Sequence, residues 1–165
     1  MPTRSNGVPV TNGAWVGSGA FGVGLITTFI IGQLGLNRTL GFIVALAPVD
    51  GTIFAFSTLH LWPQVLGARS MSGLVILTIV PVVILVASGY HLASDSDRGT
   101  GFVDGASVVV GYLGLTLVAF GYLIFLASGR IGMTLDLEVV IAIVFTGILY
   151  PVLFGGLGGL IADSS

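Results

Sequence analysis

Five apolar runs, separated by short polar gaps, set the pattern of the chain. They cover about residues 15–36, 40–66, 72–93, 105–128 and 137–162, and each meets the length of about 20 mostly apolar residues that a bilayer-crossing helix needs. The polar residues gather between them, in "NRT", "GARSM", "SDSDRGTGFVD" and "GRIGMTLD". Runs such as "LVILTIVPVVILVA" do not alternate, so the pattern predicts helices and not the strands of a barrel. Gaps this short join antiparallel neighbours. The expected fold is an all-α integral membrane protein, a bundle of about five transmembrane helices forming one domain over 15–162, after a polar tail over 1–14. The first run has no small-residue cleavage site behind it and is expected to be a retained span.

One run is interrupted. "ALAPVDGTIFAFSTLH" places Asp50 between Pro48 and Gly51 inside otherwise apolar sequence. In an unbroken second helix its carboxylate would lie about 14 Å deep, where a charge is costly and usually serves a pathway or a partner. Pro48 offers another arrangement: a break after Ala47, with Asp50 capping a new helix that starts near Gly51. A third is a shallower position at the interface. Asp50, Thr52 and His60 form the candidate polar site within the membrane. His60, beside Trp62 and Pro63 near the end of the run, is expected in the interfacial aromatic belt. His91 falls near the opposite side, so the two histidines are not expected to share a metal or haem.

The second pattern is one of small residues. In "GILYPVLFGGLGGLIA" Gly147, Pro151, Gly155 and Gly159 recur every four residues and share a helix face. Faces of this kind let helices approach closely in lipid. Ser107, Gly111 and Gly114 offer a matching face on the fourth run, and Pro151 should kink the fifth by removing its bond to the residue 147 carbonyl. "GSGAFG", at Gly17 to Gly22, fits G-x-G-x-x-G but lacks the preceding strand and following acid of a dinucleotide site, so it reads as helix packing.

Composition narrows the classes of function. Of 165 residues 55% are hydrophobic and 7% charged, which leaves too little polar skin for a soluble domain. The five basic residues are all arginine and are scattered, which excludes a nucleic-acid surface. With no cysteine there is no thiolate metal site or thiol chemistry. No cofactor and no metal site is expected, and no nucleophile with its base suggests an enzyme. Asp136 and Glu138 suit a helix N-terminus. Arg4, Arg69 and Arg130 fall on one side of a five-span topology and Arg38 and Arg98 on the other, which places the N-terminus in the cytoplasm and the C-terminus outside. Asn37 of "NRT" is a glycosylation sequon in an outside loop.

The stretches "TLHLWPQV", "ASGYHLAS", "DGASVVVGYLGLTL" and "GILYPVLFGGLGG" resemble a group of small multi-pass membrane proteins of halophilic archaea that is known only as a domain of unknown function. The resemblance covers most of the chain and implies residence in a haloarchaeal plasma membrane. It implies no substrate or cofactor, and a histidine near the position of His60 is its one polar feature. Two functions stay open. One is a structural or interaction bundle that packs through its glycine faces, alone, as a homo-oligomer or in a larger membrane complex. The other is a small ion, proton or solute transporter or channel using Asp50 at a broken helix, with Thr27, Thr28, Gln33, Thr52, Ser57 and Thr58 along its path.

Overall fold

The computed structural model describes residues 10–36, 38–60, 78–94, 99–125 and 135–165. Among them every regular element is helical: α1 (Val10–Gln33), α2 (Arg38–Leu46), α3 (Pro48–Thr58), α4 (Ile79–Ala93), α5 (Gly101–Phe125) and α6 (Leu137–Ser164). Three of these, α1, α5 and α6, are long and apolar enough to cross a membrane. Helix α5 is continuous apart from one turn at Ser107 and Val108. Large apolar side chains such as Ile26, Val118 and Leu153 stay exposed, as expected of helices whose solvent is lipid.

The second apolar run is not one straight helix. Pro48 has no N–H to return to Val44, and it pushes Ala47 into an extended conformation with φ −146° and ψ 87°. The chain then folds back on itself. A Cβ on Gly51 would come 2.5 Å from the Ile43 carbonyl oxygen. Further out, Ala55 shares an apolar cluster with Leu40 and Val44; in a straight helix Leu40 and Ala55 would stand about 22 Å apart. Helices α2 and α3 thus make a tight hairpin, and neither its nine nor its eleven residues suffice to cross a bilayer alone. Both arms rest on α1, where Gly24 receives the Phe56 ring and Gly32 receives Val44.

Small residues set the remaining contacts. Gly13 and Gly17 meet Ser107 and Val108 of α5, and Gly111 meets Ala14 and Ser18 of α1, so α1 and α5 run parallel with their backbones close. Gly155 and Gly159 of α6 press on Gly105 and Gly101, so α6 runs antiparallel to α5, while Gly155 also touches Gly89 of α4. The expected partner face for α6 is therefore corrected: it is Gly101 and Gly105, whereas Ser107 and Gly111 serve α1 and Gly114 has open space beside it. Four-residue spacing on α5 continues one step further toward its start than the apolar run suggested.

Near Pro151, α6 widens instead of simply kinking. Two π turns, Phe145–Leu149 and Pro151–Gly155, flank Tyr150 and absorb the missing N–H. The start of α1 and the end of α6 both lie beside the start of α5: Gly13 at Ser107, Gly159 at Gly101, and Asp163 accepting the Gly99 N–H at 2.8 Å. These two ends thus lie at one end of α5, and of the five expected spans three are long and apolar enough to cross a membrane among the described residues.

Valine at Gly159, where the Gly101 carbonyl leaves no room for a Cβ, is expected to destabilise the bundle by about 1–3 kcal/mol. Alanine at Gly114 should change stability by less than about 0.5 kcal/mol. Thermal unfolding of the detergent-solubilised variants measures both.

Candidate functional site

Two titratable side chains of the α2–α3 hairpin are buried in the core, and each meets a tyrosine of α5. Asp50 is 2% exposed, and its Oδ1 accepts the Tyr122 hydroxyl at 2.7 Å. His60, in the turn that ends α3, is fully buried with its Nε2 2.6 Å from the Tyr112 hydroxyl. Its Nδ1 lies 2.9 Å from the Phe56 carbonyl oxygen. The two rungs are in register. Asp50 and His60 are ten residues apart, as are Tyr112 and Tyr122 in the opposite order, which makes α3 and α5 antiparallel neighbours. Ten helical residues rise about 15 Å, so the rungs stand that far apart along the bundle.

Local structure explains both placements. Asp50 occupies the first turn of α3, after Ala47 as N-cap and Pro48 as the first helical residue. The N-cap is Ala47 and not Asp50, so the expected capping position of Asp50 is corrected: it stands within the first turn, and its carboxylate accepts the Tyr122 hydroxyl of α5. Negative charge in a first turn still suits the helix dipole. Thr52 is buried, but its hydroxyl returns to the Pro48 carbonyl at 2.5 Å and does not join Asp50. Ser57, Thr28 and Thr116 likewise bond carbonyls four residues back.

His60 is not at an interface. It sits among aromatic rings, edge to face with Phe56 at 4.9 Å, Tyr112 at 5.7 Å and Tyr150 at 5.1 Å between centroids. Phe21 completes the group against Phe56 and Tyr112. The expected belt position failed because α3 folds inward along α1 and α5, which carries His60 into the core; Trp62 and Pro63 lie outside the described residues.

Two further polar groups continue the line. Thr146, in the first π turn of α6, reaches the Ser57 carbonyl at 3.4 Å and links α6 to α3 between the rungs. At the start of α5, Asp104 is buried and accepts the Thr100 hydroxyl at 2.6 Å, while Ser107 donates to the Asp104 carbonyl. The other candidates fall away from this line. Gln33 and His91 are exposed, and Gly147, Gly155 and Gly159 pack helices together. Asp136 caps α6 through the Val139 N–H at 3.0 Å. Among the described residues no three metal-binding side chains come together.

The tyrosines were absent from the candidate set. Their signal was present in the sequence: a phenol inside an apolar run needs a hydroxyl partner, and the ten-residue spacing of Tyr112 and Tyr122 matches that of Asp50 and His60.

Fold and site together define an all-helical protein with three helices able to cross a membrane and paired ionisable groups inside its core. By sequence the chain belongs to a family of unknown function, DUF7978, whose model matches residues 49–165. That match includes Asp50, His60, Tyr112 and Tyr122. No curated protein and no solved structure matches the chain.

Phenylalanine at Tyr122 removes the donor to a buried carboxylate and is expected to cost about 1–3 kcal/mol. Pairing it with Asp50→Leu should recover part of that loss, with a coupling of about 0.5–3 kcal/mol. A double-mutant cycle by unfolding in detergent reads the coupling directly; additive losses would mean that the two side chains do not interact.

Proposed function

We propose that this is a multi-pass plasma-membrane protein that conducts protons through its helical bundle along the core face of α5. The observation that carries the reading is the pair of buried rungs, Asp50–Tyr122 and His60–Tyr112. Ionisable side chains at membrane depth are costly, and where they occur they mark ion or proton pathways by default. Along α5 the order is Asp104, then Tyr112 with His60, then Tyr122 with Asp50. These levels cover 18 residues, or about 27 Å, close to the hydrocarbon thickness of roughly 30 Å. The hydroxyls of Ser107, Thr116 and Thr146 stand between the levels, and water entering from either face bridges the longer gaps.

The glycine faces support a self-contained bundle more than an adhesive one. The described close glycine contacts lie within the chain, so they account for its packing and leave the buried ionisable groups as the feature that packing alone does not require. Asparagine at Asp50 keeps a carbonyl oxygen for Tyr122 while removing the proton-binding group, which makes it the variant of choice.

In liposomes holding purified protein under an imposed pH gradient, proton flux is expected from wild type and at least about tenfold less from Asp50→Asn, a barrier rise of about 1.4 kcal/mol or more, with matched unfolding temperatures. Wild-type flux no greater than that of protein-free liposomes would overturn the reading.

A further inference from the structure

We infer that the His60–Tyr112 rung is the gate of this path, with Tyr112 as the positioning residue that delivers protons to Nε2 and the Phe56 carbonyl as the catch that blocks their departure. The inference rests on the proposed conduction and adds to it a direction and a closed state. Its basis is the hydrogen-bonding capacity of the groups around one ring. A backbone carbonyl only accepts, so the Nδ1 that lies 2.9 Å from the Phe56 oxygen carries the hydrogen. In a neutral imidazole the other nitrogen then holds a lone pair. Nε2, 2.6 Å from the Tyr112 hydroxyl, is therefore the acceptor and Tyr112 the donor.

This arrangement is one-sided. A proton arrives when the Tyr112 O–H bond breaks and an N–H bond forms at Nε2, while an excess proton carried by water from the Asp104 and Ser107 side bonds to the phenol oxygen and restores its O–H. The ring is then an imidazolium with two N–H bonds. It cannot pass the Nδ1 proton onward in place, because an amide oxygen is far too weak a base to take it. Release requires the ring to turn from Phe56 toward the next hydroxyl, that of Thr146, which reaches the Ser57 carbonyl one helical turn before Tyr150. There the Nε2–H bond breaks, the proton leaves through that hydroxyl and water toward Asp50, and the ring returns neutral, its Nδ1–H again held by the Phe56 carbonyl. Phe56 and Tyr150, each about 5 Å from the ring, are the walls past which it turns.

The test joins a spectroscopic readout to flux. Nitrogen-15 NMR of histidine-labelled full-length protein in lipid at neutral pH should show His60 as the Nδ1–H tautomer. An Nε2–H tautomer or an imidazolium there would reverse the Tyr112 bond and overturn the gate, whatever the flux. Tyr112→Phe should keep the Nδ1–H tautomer, move the Nε2 resonance toward that of a nitrogen without a donor, and lower proton flux at least about tenfold. Undiminished flux in a folded Tyr112→Phe protein also overturns the gate. Absent wild-type flux alongside the expected tautomer would sink the conduction reading, and with it the gate, while leaving the assignment of the rung in place.

Discussion

The core depends on α3 lying antiparallel against α5 with its side chains in one particular register. Two hydrogen bonds, ten residues apart on each helix, fix that register twice over. A slip of one residue would rotate α3 by about 100° and leave a carboxylate and an imidazole facing hydrocarbon, each without the phenol it meets now. In a medium that offers no water to compensate, such a slip is costly at both rungs together. The polar pairs therefore specify the arrangement as well as occupying it. Apolar packing contributes affinity between helices here but little discrimination, since the lipid-facing and core-facing residues are equally hydrophobic.

That register in turn depends on how closely α1 and α5 approach. Gly13 and Gly17 admit the α5 backbone, Gly111 admits that of α1, and Gly24 makes room for the Phe56 ring one turn before His60. Replacing any of these volumes would move α5 away from α1 and shift both tyrosines relative to the hairpin. The other wall is α6, seated on Gly101 and Gly105 at one end and widened into π turns where it passes His60. A helix that is packed rigidly at its glycine end and loosened in its middle is well suited to give way around one ring without separating the bundle.

How much of this the sequence disclosed follows from the range of each interaction. Helix-forming runs, the break at Pro48 and the close-packing role of Gly155 and Gly159 are local properties, visible in spacing and in the chemistry of proline. The direction taken after the break is not local: Pro48 frees the chain to bend but does not say by how much, and Gly51 against Ile43 becomes meaningful only once the hairpin exists. That single unknown propagated. With a straight second span, His60 falls at an interface and Asp50 lies unpartnered at depth, and with a bare break Asp50 is free to cap its own helix; with the hairpin, His60 enters the core and Asp50 faces α5. The partner face for α6 was misplaced for a smaller reason, since Gly101 and Gly105 sit in or beside the polar gap, where hydropathy had not yet marked the helix as begun.

The choice of tyrosine as partner also bears on function. An arginine beside Asp50 or an aspartate beside His60 would hold its neighbour in one charge state, because separating the pair at this depth leaves an uncompensated ion. A phenol is less committing. It donates to a carboxylate, and its oxygen can accept from a carboxylic acid; it donates to a neutral imidazole, and its oxygen can accept from an imidazolium. Each rung can thus gain or lose a proton by turning one hydroxyl, with the helices staying where their glycines hold them. A core built only for stability has no need of that tolerance, since replacing both partners of a buried polar pair by apolar groups of the same shape costs little. The rungs join groups whose protonation can change to partners that accommodate the change, in a scaffold closed around them by backbone contact.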